Sequence, residues 1–129
     1  MGYEYIFAGS DTADVVAWYS IKNEQDLEYS QPVKGKKPNE LGLYDMSGNV
    51  EEWCQDNYYE YTANSQNDPI CILTDSSHKY YNRYVVRGGR WWMSNGNGSR
   101  FCRVGYRNYY PYDTRHDYLG LRLVLVKNK

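Results

Sequence analysis

Three cysteines and two histidines are the residues of this 129-residue sequence best equipped for nucleophilic, redox or metal chemistry. Cys54, Cys71 and Cys102 stand far apart and form no CxxC pair, and neither His78 nor His116 lies at ligand spacing from another donor type. The pattern indicates neither a zinc site nor a dense disulfide framework. One bridge plus one free thiol and three reduced thiols are both open.

The larger concentration of interacting surface is aromatic, with sixteen tyrosines against two phenylalanines. Tyrosine offers a wide contact area at small entropic cost and a hydroxyl that reaches water or a partner. Two readings stand side by side: the phenols are displayed, or they fill strands. The run from Arg90 to Tyr118 mixes Trp, Tyr, Asn, Asp, His, Arg, Ser and Gly, as adaptable binding loops do. Arg90, Trp91, Trp92, Tyr106, Asn108, Tyr109, Tyr110, Tyr112, Asp113, His116, Asp117 and Tyr118 are therefore expected to line a ligand face.

Charge and hydropathy narrow the partners. Fifteen Lys and Arg against sixteen Asp and Glu give a net charge of −1, and the basic cluster Lys34, Lys36, Lys37 is short, so a nucleic-acid partner is not expected. No segment approaches the roughly 18 apolar residues of a membrane span. Met1 is followed by Gly-Tyr-Glu-Tyr, which has neither the basic start nor the apolar core of an export signal. A soluble chain is expected, its compartment left open.

The elements that must position these residues are short. Tyr3 to Phe7 and Val15 to Tyr19 read as small strands separated by Gly9-Ser10-Asp11-Thr12. Residues 22 to 40 carry Pro32, Gly35 and Pro38 without a burial period and read as loop. Tyr80 to Arg87 has strand propensity and stops at Gly88-Gly89. Leu121 to Val126 lies in the most strand-like run of the chain. No long amphipathic helix and no repeat is visible, so the expected class is α+β with many short strands and long loops, in one domain over residues 1–129.

Two blocks carry a family resemblance. Pro38-Asn39-Glu40-Leu41-Gly42-Leu43-Tyr44-Asp45-Met46-Ser47-Gly48-Asn49-Val50 is one; Val86-Arg87-Gly88-Gly89 followed by Arg103, Tyr106-Arg107 and Leu119-Gly120-Leu121-Arg122 is the other. In order and spacing they resemble the signatures of the sulfatase-modifying-factor domain, the fold of formylglycine-generating enzyme. The resemblance implies an irregular C-type-lectin-like fold. It also implies that this chain matches the C-terminal part of such a domain, truncated at its N-terminus, because the family's first strand and two helices precede the matching region. The terminal strand would then lack its neighbour, which implies a homo-oligomer, a strand-exchanged dimer or another partner chain.

In the enzyme, two cysteines after Arg-Gly-Gly-Ser bind copper. The corresponding run here is Arg87-Gly88-Gly89-Arg90-Trp91-Trp92-Met93, with Met93 at the first position and the Asn/Gly loop at the second. Linear thiolate coordination of Cu(I) needs two soft donors, so no copper is expected. Other family positions also differ: Glu51 replaces a Trp, Arg90 replaces the Ser after Arg-Gly-Gly, and Tyr118 replaces an Asn.

A structural Ca²⁺ site is implied at the Asp45 and Glu52 side chains and the Gly48 and Val50 carbonyls, hard oxygen donors within eight residues. The alternative is that Asp45 caps a turn and Glu52 is a paired charge. Because the family includes sulfoxide synthases and the variable proteins of diversity-generating retroelements, membership implies fold more than activity. The leading expectation is a non-catalytic ligand- or protein-binding module. The rivals are an oxidoreductase or its accessory subunit, and a retroelement-diversified binder.

Overall fold

The computed structural model describes residues 4–20, 27–64, 69–93 and 98–125. Among the described residues, helix is confined to one turn, α1 (Ala13–Val16), and a 3-10 turn at Gly98–Cys102. Strands β1 (Ala17–Trp18) and β2 (Ser47–Gly48) pair in parallel. Strands β3 (Glu51–Asn57), β4 (Arg83–Arg87), β5 (Asn108–Pro111) and β6 (Leu119–Gly120) form a second sheet in the order β5-β4-β3-β6. In that sheet β4 runs antiparallel to both β3 and β5, whereas β6 runs parallel to β3.

The Gly-Asn signature has a steric reason. Gly48 sits at φ +75°, and a Cβ there would lie 2.3 Å from the Trp18 carbonyl oxygen, so β1 and β2 can meet only over a glycine. Asn49, also at positive φ, then staples two loops: its amide side chain exchanges hydrogen bonds with the Gln31 backbone, and its own backbone ties to Trp18 and Trp91. Gly89 does the equivalent job at the end of β4, where a Cβ would stand 2.6 Å from the Phe101 carbonyl oxygen.

The apolar core is small. Phe7, Ala13, Val16, Ala17 and Cys102 form one cluster, with Val15 and Tyr19 packed against it. Val85 and Val86 are buried within β4, and each fully buried side chain of this size contributes roughly 1.5–3 kcal/mol. Ser47 crosses the core as a polar rivet, donating to the Cys102 carbonyl and accepting from the Ala8 N–H.

Several expected strands are shorter or differently placed. Val15-Val16 closes the α1 turn, and strand begins only at Ala17. Of the Tyr3 to Phe7 run, Tyr3 lies outside the described residues and Phe7 forms an isolated bridge with Ser10. Tyr80–Asn82 is turn, so the strand expected over 80–87 is β4 alone. The largest departure is at 121–125. The pattern there favours a strand, yet pairing stops at Gly120, and Leu123 and Leu125 are 90% and 95% exposed. A strand pattern yields a strand only where a neighbouring strand supplies the other half of each hydrogen bond. No such neighbour stands beside 121–125 among the described residues, and Val126 lies outside them.

Candidate functional site

Strands β3, β4 and β5 alternate their side chains between two faces. Trp53 pairs with Val86 and Val86 with Asn108, which sets Glu51, Trp53, Asn108 and Tyr110 on one face. Glu51 begins β3 there with its side chain 3% exposed, beside an Arg90 side chain that is 13% exposed. Arg90 reaches the face because Gly88-Gly89 turns the chain back over the end of β4.

Three groups form a closed network. Arg90 Nη1 donates to Glu51 Oε2 at 3.2 Å and to the Tyr110 hydroxyl at 2.8 Å. That hydroxyl donates to Glu51 Oε2 at 3.1 Å and accepts from Asn108 Nδ2 at 3.0 Å. With one proton and two lone pairs, the Tyr110 hydroxyl is fully used. Arg90 Nε is shared between the Trp92 carbonyl and the Met93 sulfur, whereas Nη2 meets no acceptor among the described residues.

Burial governs protonation at this face. Desolvation holds the Glu51 carboxyl above its ordinary 4.5, although Arg90, Tyr110 and Asn108 each favour its charged form. The same burial, reinforced by the Glu51 charge, pushes the Tyr110 phenol up to about 12, so it remains a donor.

Aromatic rings frame the network. The Arg90 guanidinium lies 3.9 Å from the Tyr118 ring centroid. His116 stacks on Tyr118 at 4.5 Å and 19°, and meets Tyr110 edge-on at 6.1 Å. Trp53 closes the other flank, edge-on to Tyr110 at 6.2 Å. Of the residues expected to line a ligand face, the structure therefore gathers Arg90, Asn108, Tyr110, His116 and Tyr118, with Trp92 exposed beside them.

The other candidates take no part in its hydrogen bonds. Trp91 is buried, and its indole N–H finds no acceptor among the described residues. Tyr106 packs edge-on against Phe101, close enough to the network that burial and then the Glu51 charge hold its phenol above its ordinary 10. Tyr109, one residue from Tyr110, points to the opposite face and joins Tyr58 and Tyr80. Tyr112, Asp113 and Asp117 are exposed.

Glu51 was not among the candidates. The signal for it was a coincidence of two departures from the family pattern, since Glu51 and Arg90 each stand where the enzyme has an uncharged residue.

The thiols and the implied metals can be placed too. Cys54, Cys71 and Cys102 are all free. Burial pushes the Cys102 thiol up to about 12, which makes it an inert core group. Cys54 and Cys71 share a cavity on the reverse face with Val85 and Arg87. Beside Arg90 the one described sulfur is the Met93 thioether, and the second copper position falls outside the described residues. This donor set does not suit Cu(I).

Around Asp45 the carboxylates already have partners. Both Glu52 oxygens accept from Arg122, at 2.7 and 2.9 Å, and Asp45 Oδ2 accepts from the Lys34 N–H. Arg122 also donates to the Tyr44 carbonyl, so a guanidinium sits among oxygens of the kind a hard cation would use.

A mixed sheet with scant helix, Gly-Asn and Gly-Gly crossings and long loops defines a C-type-lectin-like domain. The chain belongs to the family described as sulfatase-modifying factor enzyme 1-like domain, which it matches over residues 6–127. Among solved structures, Treponema denticola variable protein 1 is 31% identical with a TM-score of 0.75, over 93% of this chain and 40% of that one. PvdO from Pseudomonas aeruginosa is 26% identical with a TM-score of 0.65, again over 93% and 40%. The chaperone protein LppX of Paenibacillus barcinonensis is 39% identical over a match covering 39% of this chain and 23% of that protein. The chain thus spans well under half the length of these relatives. Among the described residues, no helix is long and apolar enough to cross a membrane.

Proposed function

We propose that this chain is a non-catalytic binding module that presents the face built on Glu51, Arg90 and Tyr110 to a protein or small ligand. The observation that carries the reading is the buried Glu51–Arg90 pair, locked by Tyr110 and Asn108 beneath Tyr118 and His116, with the exposed Trp92 two residues along the chain from Arg90. A preformed polar floor with aromatic walls suits recognition, since little ordering entropy is left for the ligand to overcome. Arg90 Nη2 supplies donors and Tyr118 with His116 a stacking surface. Neither the Tyr110 phenol, held protonated by burial, nor the Met93 thioether against Arg90 can act as an activated nucleophile.

The test uses a displayed peptide library selected on the protein. Selected peptides should lose roughly tenfold or more in affinity with Trp92→Ala or Tyr118→Ala while the melting temperature barely moves. Peptides indifferent to both substitutions would overturn the reading. So would turnover of a thiol peptide by the copper-loaded protein, which the oxidoreductase alternative requires.

The likeness to a variable protein favours a second reading, in which this face is diversified by a retroelement. A neighbouring reverse transcriptase, with a near-repeat of the gene's 3′ end differing at adenines, would establish it.

Two further parts belong to the same proposal. Ca²⁺, if taken up, is held structurally by Asp45, Gly48, Val50 and Glu52, and Arg122 must release Glu52 to admit it. Calcium titration of Arg122→Ala against wild type, read by melting temperature, tests this: no shift in either protein removes the site. The exposed run 121–125 supports self-association by strand pairing, and light scattering that gives a monomer at all concentrations would refute that part.

A further inference from the structure

The reverse face of the sheet holds a second feature, a cavity of about 880 Å³ between β3, β4 and residues of 59–64 and 69–71. Its size falls within the roughly 300–1,000 Å³ of small-molecule pockets. Two arginines line it. The Arg107 guanidinium carbon lies 3.6 Å from the Tyr61 ring centroid and 4.5 Å from that of Tyr58. Its side chain donates no hydrogen bond to any described residue, which leaves a fork of five N–H donors held beside two rings.

Arg87 stands alongside. Its Nη2 donates to the Tyr61 hydroxyl at 2.9 Å, and its Nη1 reaches the Val104 and Tyr106 carbonyls only at 3.4 Å each. One tyrosine therefore supports both guanidinium groups, by its ring and by its hydroxyl.

The acids nearby do not answer this charge. Glu60 is paired with Lys79 at 2.7 Å. Asp56 spends Oδ1 on the Cys71 N–H at 2.8 Å, so among the described residues two guanidinium groups face one lining carboxylate that has no lysine or arginine partner. Pro69, Ile70 and Val85 make part of its wall apolar.

We propose that this cavity binds a small organic oxyanion, a carboxylate or phosphate ester. Its charged end lies against Arg107 and Arg87 and its apolar body against Ile70 and Val85. Planar guanidinium forks match both head groups bidentately. The site is separate from the Glu51 face and does not depend on that face having a ligand.

Because Cys54 and Cys71 also line the cavity, occupancy has a second readout in thiol labelling. The experiment titrates benzoate and phenyl phosphate into the whole chain by calorimetry, with maleimide labelling followed in parallel. Saturable binding of one probe is expected, weakened roughly tenfold or more by Arg107→Gln and less by Arg107→Lys. The preferred probe identifies the head group. Labelling of Cys54 and Cys71 should slow several-fold at saturation in the unmodified protein, a result that needs no variant to fold. Absence of saturable binding by both probes, equal affinity in Arg107→Gln, or unchanged labelling would each overturn the proposal.

Discussion

The two faces of the sheet are made by the same three strands and treat arginine in opposite ways. On one, Arg90 is nearly buried, paired with Glu51 and shared with Tyr110. On the other, Arg107 rests on two tyrosine rings with no acceptor of its own among the described residues. A cation paired with a buried carboxylate fixes the shape of its face, whereas one with no ion pair of its own advertises for an anion. The difference arises from one residue: Glu51 faces Arg90, and the one described acid of the cavity lining that has no lysine or arginine partner, Asp56, is engaged in holding Cys71.

Breaking the satisfied face should have the largest effect. Glu51→Ala strands a buried guanidinium and should cost about 3–5 kcal/mol, read by urea unfolding. A loss under about 1 kcal/mol would mean that water already reaches Arg90. Replacing both partners together, as Glu51→Leu with Arg90→Met, should recover most of that loss, because a buried pair removed whole leaves no orphan charge. A double variant no better than Glu51→Ala would show that the pair matters for more than its charge balance.

A smaller effect follows from protonation. The folded Glu51 carboxyl titrates above its ordinary 4.5, so its contribution is complete below that value and is lost as pH rises through the folded one. The stability of wild type relative to Glu51→Gln should therefore improve from pH 7 to pH 4.5. A gap that narrows on acidification would mean that the Arg90 charge outweighs burial. Smallest of all, Arg107→Gln should change folding stability by about 1 kcal/mol or less, since it removes cation-π contacts and no hydrogen bond to a described residue. A large loss would make Arg107 a packing residue and blur the contrast between the faces.

The sequence made the crossings legible and the facing residues less so. Gly48-Asn49 and Gly88-Gly89 could be recognised because their constraint is local, a positive φ beside another backbone. Tyr84-Val85-Val86 announced β4 by composition. The partnership of Glu51 with Arg90 depends on the register of β3 against β4 and on the turn after it, which no local pattern encodes. Tyr109 and Tyr110 look equivalent in a run of aromatics, and only the strand's alternation sends them to opposite faces. The run 121–125 has every residue a strand wants but, among the described residues, no neighbour.

The parallel pairing of β6 with β3 also constrains the order of events at synthesis. Glu51 meets Leu119 across about half the chain, so the central sheet acquires its fourth strand only after residue 120 has left the ribosome. Closing so long a loop is slow, and until then the aromatic surface of β3 and β5 stands open to solvent and to other nascent chains. Completion of this sheet should accordingly wait for residue 120, with its yield sensitive to expression rate and temperature.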